Sequence, residues 1–445
     1  MTPAFDRIAR EGALFHHAYI SSPSCTPSRN AILTGQWHWR LGAGGNLWST
    51  LDQKLKVYPH LLADAGYHTG YWRKSWGPGK LDGKWQERHP AGKNYRKGFA
   101  EFLEARPEGS PFCFWLGASD PHRPYKLGTG RESGMDISKV KLFSFFPDSE
   151  VIRSDVADYF FEVQRFDSDV DAALKLLDEI GEADNTIIVI TGDHGMPFPR
   201  CKSNVYDCGS RVPLALRWPE KVKAGQVLNG FVSLTDLAPT FLSAAGLKVP
   251  AEMTGQSLLP ALTGGGDSAL RAHVLFGKER HCPSQEAPDM GGYPMRAIRT
   301  PEFLYIRNYE PDRWPSGSPN WKKTAIPGAW FADTDGGPTK NYIDDNKDKD
   351  EAHRRAWALC FARRPADELY DMREDPDQLV NVAGEAAYSK ALKKLSAQLT
   401  GELADSGDPR HTDAEVKFDT YPYFGGAPKH PDFVEPKKRK KGKKK

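Results

Sequence analysis

The sequence predicts an α/β protein in which a mixed, mostly parallel sheet is flanked by helices and followed by a smaller antiparallel sheet with a helix. Three observations predict this class. Apolar residues recur every three or four positions from Asp155 to Gly181, which indicates a long amphipathic helix. The β-branched run TIIVIT at 186–191 is typical of a strand buried on both faces, and a helix leading into it implies a parallel crossover. Short apolar runs after about residue 270 indicate antiparallel strands.

The other elements follow in chain order. Thr2-Pro3 with Phe5 and Ile8 predicts a short helix at the start of the chain. The run FCFWLG at 112–117 predicts a second buried strand. Beyond 270, short strands are predicted at 273–277, 295–298 and 304–307, a surface loop at 341–351, and a helix around four leucines spaced at three and four, Leu392, Leu395, Leu399 and Leu403.

Length and composition bound the organisation. A chain of 445 residues is longer than a single hydrophobic core usually supports, so we expect two domains, a larger one over 1–270 and a smaller α+β subdomain over 271–425. The net charge of +3 includes eight basic residues in 437–445; subtracting these from 61 leaves 53 basic against 58 acidic residues. We therefore expect a disordered basic tail over 426–445 and no nucleic-acid function. No transmembrane run or signal peptide is apparent, and the location stays open.

Polar residues follow both predicted buried strands, as Asp120-Pro121-His122-Arg123 and Gly192-Asp193-His194-Gly195. In α/β sheets the site lies at these carboxyl ends. Cys25 in SCTPSRNAILTG lies between turn residues and a helix-like run, where free N–H groups and Arg29 favour an anion. Taken alone, the residues leave a nucleophile and a buried structural cysteine both open.

The motif Cys25-x-Pro27-x-Arg29, continued by ILTG at 32–35, resembles the signature of type I sulfatases. The resemblance continues in family order through GYHT at 66–69 with Lys74, DPH at 120–122, and TGDHG at 191–195 with Lys202. The segments WGPG at 76–79 and DPHR at 120–123 are similar to those of bacterial carbohydrate sulfatases near the heparan N-sulfatases. The resemblance implies an alkaline-phosphatase-like fold and release of sulfate from a sulfated carbohydrate.

The resemblance also implies a role for each motif residue. A maturing enzyme oxidises Cys25 to formylglycine, whose hydrate is the nucleophile, and Arg29 holds its hydroxyl. Lys74 and Lys202 neutralise sulfate oxygens. His122 contacts the sulfate or protonates the leaving oxygen as a general acid. The metal ligands are Asp193, His194 and residue 25, with Ca²⁺ expected; the imidazole, where the family usually has Asn, leaves Zn²⁺ or another transition metal open.

Two departures from the family pattern carry further expectations. Family members open with a strand ending in Asp-Asp, both metal ligands, before a helix like that at Thr2-Pro3. We expect that strand, with any signal peptide, upstream of Met1, and hence weak metal binding, low stability and no turnover in the chain as printed. The family's Gly-Lys-x-His is Arg73-Lys74-Ser75-Trp76 here, so the base for sulfate elimination is unassigned, with His38 a weak candidate.

Two other functions stay open from the sequence. One is a phosphonate or phosphate diester hydrolase of the same superfamily, some members of which share the cysteine motif. The other is a non-catalytic descendant that binds polyanions through Arg29, Lys74, Lys202 and the basic tail. The particular sulfate ester, O-linked or N-linked, depends on loops whose geometry the sequence does not give.

Overall fold

Helices and strands alternate through the first part of the chain in the computed structural model, which describes residues 1–435; the last ten residues, 436–445, lie outside the described residues. The α-helices are α1 Pro3–Glu11, α2 Cys25–Thr34, α3 Tyr58–Asp64, α4 Lys84–Glu87, α5 Phe99–Glu104, α6 Thr129–Glu132, α7 Glu150–Glu179, α8 Asp207–Ser210, α9 Leu237–Ala244, α10 Pro338–Asp345, α11 Glu351–Phe361 and α12 Ser389–Asp405. The strands are β1 Ala13–Tyr19, β2 His68–Arg73, β3 Lys93–Asn94, β4 Phe112–Gly117, β5 Ile188–Thr191, β6 Arg211–Arg217, β7 Gln226–Ser233, β8 Val274–Lys278, β9 Met295–Arg299, β10 Phe303–Asn308 and β11 Asp367–Asp371.

The strands β1 to β7, within residues 13–233, form two sheets. One has the strand order β5-β6-β1-β7, with β1 parallel to β7 and antiparallel to β6. The other has the order β3-β2-β4, and its strands are all parallel. The mixed, partly parallel α/β class is therefore confirmed. The predicted parallel crossover into the strand after α7 is wrong in its pairing, because β5 pairs with β6 and that pair is antiparallel.

The two sheets are separated by a slot, the name we give to the cavity between β4 and β5. Within residues 1–435, each of these strands is paired on one edge only. The cavity has a volume of about 890 Å³ and is lined along its length by both strands, together with apolar side chains of α7 and α9. This opening explains why β4 and β5, predicted to be fully buried strands, are mostly half-buried.

The C-terminal sheet is antiparallel throughout, in the order β11-β10-β9-β8, which confirms the predicted small antiparallel sheet. The predicted leucine helix is α12, which buries Leu395, Leu399 and Leu403 against this sheet. Arg296 of β9 is fully buried and forms ion pairs with Asp408 and Glu279, both at 2.6 Å. This charged group ties the sheet to the segment after α12.

Several sequence expectations need correction. The predicted surface loop at 341–351 is confined to a turn at 346–350, because 341–345 end α10 and α11 begins at Glu351; Trp357 Nε1 donates to Asp344 Oδ1 at 2.8 Å across this turn. The predicted disordered tail is wrong for 426–435, because Trp330 N donates to Pro428 O and residue 433 packs on Trp321; the rest of that prediction lies outside the described residues. The domain division near 270 stays a prediction. No helix within residues 1–435 is long and apolar enough to cross a membrane.

Candidate active site

Cys25 begins the central helix of the site. It is the first residue of α2, preceded by Ser24 in an extended conformation, and the helix ends at Gly35, whose φ of 63° is left-handed. The loop-to-helix junction expected from the sequence is therefore present. Every residue of α2 is buried, and Cys25 is only 2% exposed. A buried helix with its first turn at the strand ends fixes the position of the sulfur.

Asp193 and His194 follow β5 and meet α2 at this point. The Nε2 atom of His194 lies 3.2 Å from the Sγ of Cys25 and 3.7 Å from a carboxylate oxygen of Asp193. Arg29, one turn after Cys25, forms an ion pair with Asp193 and donates a second hydrogen bond to Gly77 O at 2.7 Å. The structure therefore brings together two pairs of residues, Cys25 with Arg29 and Asp193 with His194, that are separated by 164 positions in the sequence.

Two lysines bring positive charge to the same place. Lys74 follows β2 directly, and its Nζ lies 3.8 Å from the Sγ of Cys25. Its backbone N–H donates to the carbonyl of Gly117 at the end of β4, which aligns the ends of the two parallel strands. Lys202 is buried and forms an ion pair with Asp335 at 2.7 Å. Lys74 thus lies at a strand end, and Lys202, in the loop between β5 and α8, is near enough for its charge to lower the pKa of Cys25.

His122 follows β4, and its ring is oriented by the backbone. Its Nδ1 lies 2.5 Å from the carbonyl oxygen of Arg123, and because a carbonyl only accepts, Nδ1 carries the proton in this contact. Hydrogen bonding from the His122 side chain also contributes to lowering the pKa of Cys25. His122 therefore belongs to the same cluster as the sulfur.

Trp76 occupies the position at which the sulfatase pattern Gly-Lys-x-His has its histidine. Trp76 donates its indole N–H to Asn30 Oδ1 at 2.7 Å, so it packs on α2 and supplies no base. His38, the weak candidate for that base, is fully buried and bonds Ser21 through Nδ1 at 3.0 Å. Burial lowers the pKa of His38 well below its usual value. These contacts give His38 a structural position.

The charges around Cys25 favour its thiolate. Burial raises the pKa of the thiol, but Lys74, Lys202 and His194 outweigh burial, and the pKa lies well below its usual value. Burial likewise opposes ionisation of Asp193, yet Arg29 and His194 hold the pKa of that carboxyl below its usual value. The site is thus built to stabilise negative charge at residue 25.

Two contacts of the site were not found from the sequence. Asp335 pairs with Lys202, and His281 Nδ1 lies 2.8 Å from the Oγ of Ser24, beside the cysteine. Both residues come from loops of the C-terminal half, more than a hundred residues away from the motifs they contact. No sequence motif identifies either residue, since Asp335 lies in a Gly-rich loop and His281 lies three residues after the end of β8.

The donor set at this place can be compared with the needs of a metal ion. Cys25, Asp193 and His194 offer one sulfur, one carboxylate and one ring nitrogen, all within 4.8 Å of one another. Calcium takes six to eight oxygen ligands. These three side chains alone therefore do not fit the expected Ca²⁺, and their sulfur and nitrogen atoms are ligands that zinc prefers.

Comparisons with known proteins agree with these observations. The sulfatase family model matches residues 1–247, and a model described as the C-terminal part of N-sulphoglucosamine sulphohydrolase matches residues 192–315. Human N-sulphoglucosamine sulphohydrolase is 30% identical over 460 residues, covering 92% of this chain and 86% of its own. An ulvan-active sulfatase of Formosa agariphila is 27% identical over 425 residues, covering 92% of this chain and 76% of its own.

A solved structure gives the same fold. A protein in complex with its substrate, D-glucosamine-2-N,6-O-disulfate, superposes with a TM-score of 0.65 at 22% identity, covering 92% of this chain and 93% of the other. Sulfatases of this family generally use a formylglycine and a divalent metal. The family match over more than half of the chain identifies it: this protein belongs to the sulfatase family, the sulfuric ester hydrolases with an alkaline-phosphatase-like fold.

Proposed function

We propose that this protein releases sulfate from a sulfated carbohydrate, after a separate maturing enzyme has converted Cys25 to formylglycine. The observation that carries the proposal is the position of Cys25, at the start of a buried helix, with Lys74 and His194 within 3.8 Å of its sulfur and Arg29 one turn behind. An anionic group bound at residue 25 meets positive charge on several sides. A sulfate ester carries such a group.

The carbohydrate class is taken from the relatives. One acts on ulvan by its name, and another is named for N-sulphoglucosamine. Both names describe sulfated sugars, one of them with the sulfate on nitrogen. We therefore assign this chain a sulfated carbohydrate and leave both O-linked and N-linked sulfate within the proposal.

The chain's own residues bind and orient the sulfate. Formylglycine, when present, supplies a hydrated aldehyde, an oxygen nucleophile stronger than serine with a second hydroxyl that allows sulfate to be expelled. Lys74 and Lys202 neutralise the sulfate oxygens, and the Asp335 carboxylate holds Lys202 in one orientation. Arg29 is fixed by Asp193 and Gly77, so its charge faces residue 25 without rearrangement.

His122 is the proposed general acid. With Nδ1 donating to the carbonyl of Arg123, Nε2 is the ring nitrogen that carries a proton toward residue 25 and, in the reaction, toward the oxygen or nitrogen that leaves from the sugar. The charge of the departing group is then neutralised as its bond to sulfur breaks. No step is assigned to calcium, because Asp193 and His194 offer one carboxylate and one ring nitrogen beside residue 25, which is too few oxygen ligands for that ion.

The test measures sulfate release directly. The chain is produced together with a formylglycine-generating enzyme, both as the 445 residues printed and as the longest in-frame product of its gene. Mass spectrometry reports the state of residue 25, and ion chromatography reports free sulfate from glucosamine N-sulfate and 6-O-sulfate. We expect release to require conversion of residue 25, to vanish in Cys25→Ala, and to persist in the matched variant Cys113→Ala, which removes a distant cysteine.

The same preparation separates the alternatives. Aryl sulfate and aryl phosphonate esters are compared at equal concentration, and we expect the sulfate ester to be hydrolysed faster. A preference for the phosphonate ester, or sulfate release that survives Cys25→Ala, contradicts the proposal. Binding of a sulfated glycan with no release from any product whose residue 25 is converted favours the non-catalytic reading instead.

A further inference from the structure

Cys201 and Cys208, which we call the thiol pair, lie at the two ends of a segment that includes Lys202. We propose that the thiol pair is a redox modification site: a small disulfide such as glutathione disulfide converts it to a reversible Cys201–Cys208 disulfide, which braces this segment. The inference goes beyond the proposed function, because the reaction at residue 25 assigns no role to these two cysteines. It stands whether or not sulfate is hydrolysed.

The backbone brings the two cysteines side by side. The Sγ atom of Cys208 lies 3.5 Å from the carbonyl oxygen of Arg200, the residue before Cys201. A Cβ built on Gly209, the residue after Cys208, would lie 2.1 Å from the carbonyl oxygen of Cys201, so the two chain segments approach too closely for a side chain there. Burial raises the pKa of Cys201, and a hydrogen bond with the Cys208 side chain raises it further. The two thiols are therefore direct neighbours.

Cys360 is the alternative partner for Cys201. It is buried in the same apolar cluster as Cys201, and Cys208 packs against that cluster. Cys208 acts on the pKa of Cys201 through a hydrogen bond as well as through its charge, whereas Cys360 acts through its charge alone. The contact between the side chains therefore favours the thiol pair over a bond to Cys360.

A buried cation lies beside the thiol pair. Arg200 is fully buried, and its two terminal nitrogens donate to neutral backbone carbonyls, those of Leu359 and Gln378. Its Nε atom has no hydrogen-bond partner among residues 1–435. The charge of Arg200 opposes the rise that burial causes in the pKa of Cys201. A positive charge held in this way favours a thiolate next to it, and the thiolate is the form of cysteine that reacts.

Exposure sets the order of the two chemical steps. Cys208 is partly exposed, whereas Cys201 is buried. The thiolate of Cys208 attacks one sulfur of glutathione disulfide, which forms a mixed disulfide and expels one glutathione thiolate. The thiolate of Cys201 then attacks the Sγ of Cys208, which forms the Cys201–Cys208 bond and expels the second glutathione. The two protons of the cysteines go to the two glutathione thiolates, so the thiol pair loses two electrons and glutathione disulfide gains them.

The disulfide would brace a segment that contacts the active site. Next to Lys202, the backbone N–H of Ser203 donates to the carbonyl of Pro23 at 2.8 Å, two residues before Cys25. A bond between the ends of 201–208 removes open conformations of this segment. By the loop-closure relation for cross-links, a ring of this length disfavours opening by about fiftyfold.

The experiment uses the full chain with Cys25→Ser, so that the thiol at residue 25 does not compete for the oxidant. The protein is equilibrated in glutathione buffers of defined ratio, free thiols are alkylated in denaturant, and the product is digested with trypsin without reduction. Trypsin cleaves on both sides of the dipeptide Cys201-Lys202, so the disulfide joins that dipeptide to the peptide 203–211. We expect mass spectrometry to detect this joined peptide in oxidising buffer and to lose it after dithiothreitol is added.

Variants assign the pair and measure its effect. Cys201→Ser and Cys208→Ser are expected to lose the joined peptide, and Cys360→Ser is expected to keep it. Hydrogen exchange of the amides at 202–206 should slow by about fiftyfold on oxidation and stay unchanged in Cys208→Ser. Absence of the joined peptide, a disulfide to Cys360 in its place, or equal exchange in the two redox states overturns the proposal. None of these readings measures hydrolysis, so this test and that of the proposed function fail independently.

Discussion

The substitution Lys74→Met tests the electrostatics of the site most directly. The ammonium group lies 3.8 Å from the sulfur of Cys25 and is largely buried. At an effective dielectric constant of about 20, two unit charges at that distance attract by about 4 kcal/mol, or about three pKa units. Residual solvent screening reduces this attraction. Lys202 and His194 also remain in the variant and continue to lower the pKa of Cys25. We expect the pKa of the Cys25 thiol to rise by about two units.

The pKa is measured on the unconverted chain. The ultraviolet absorbance of thiolate is followed against pH, and the curve of Cys25→Ser is subtracted so that residue 25 alone is reported. Lys126→Met is the matched control, because Lys126 is a well-exposed lysine in an ion pair with Glu132, and its removal leaves the curve in place. A Cys25 titration that is unchanged in Lys74→Met refutes the assignment of Lys74 as the cation that stabilises charge at residue 25.

Three further substitutions probe stability and geometry. Arg296→Met leaves the buried carboxylate of Asp408 without its cation, while Glu279 keeps Arg410, and we expect a loss of about 3 kcal/mol in denaturant unfolding. His281 is buried with its pKa lowered to about 4 by burial, so stability falls as the pH drops from about 6.5 toward 4, and His281→Asn removes about 3 kcal/mol of that loss. A Cβ at Gly117 would lie 1.7 Å from the carbonyl oxygen of Lys74, so Gly117→Ala should displace Lys74 and raise the Cys25 pKa, whereas an unchanged titration would contradict this.

The sequence predicted the elements whose burial is regular along the chain. FCFWLG matches β4 from Phe112 to Gly117, and the spacing from 155 to 181 matches α7 as far as the end of that helix at Glu179. Strand β1 was not predicted, because His16 and His17 interrupt the apolar pattern of ALFHHAY. In the structure His16 is exposed, and the ring of His17 stacks on Phe231. The helix at 338–345 was missed because its composition is polar, and its place is set by contacts with α7 and α11.

The site was predictable only where the residues lie in compact motifs. Cys25, Arg29, Asp193 and His194 were assigned to one site because their motifs resemble, in order, those of type I sulfatases. Asp335 was not, since its partner Lys202 lies 133 positions earlier and only the folded chain brings the two together.

The slot between β4 and β5 has a consequence for handling the protein. Unpaired strand edges next to apolar walls attract further strands, and in a concentrated solution the most abundant source is another copy of the same chain. A strand bound in the slot would also reach the active site, because Arg29, Lys74 and Asp193 line the same cavity. Specific activity is therefore expected to fall as the protein concentration rises, and dilute preparations will give the truer rate.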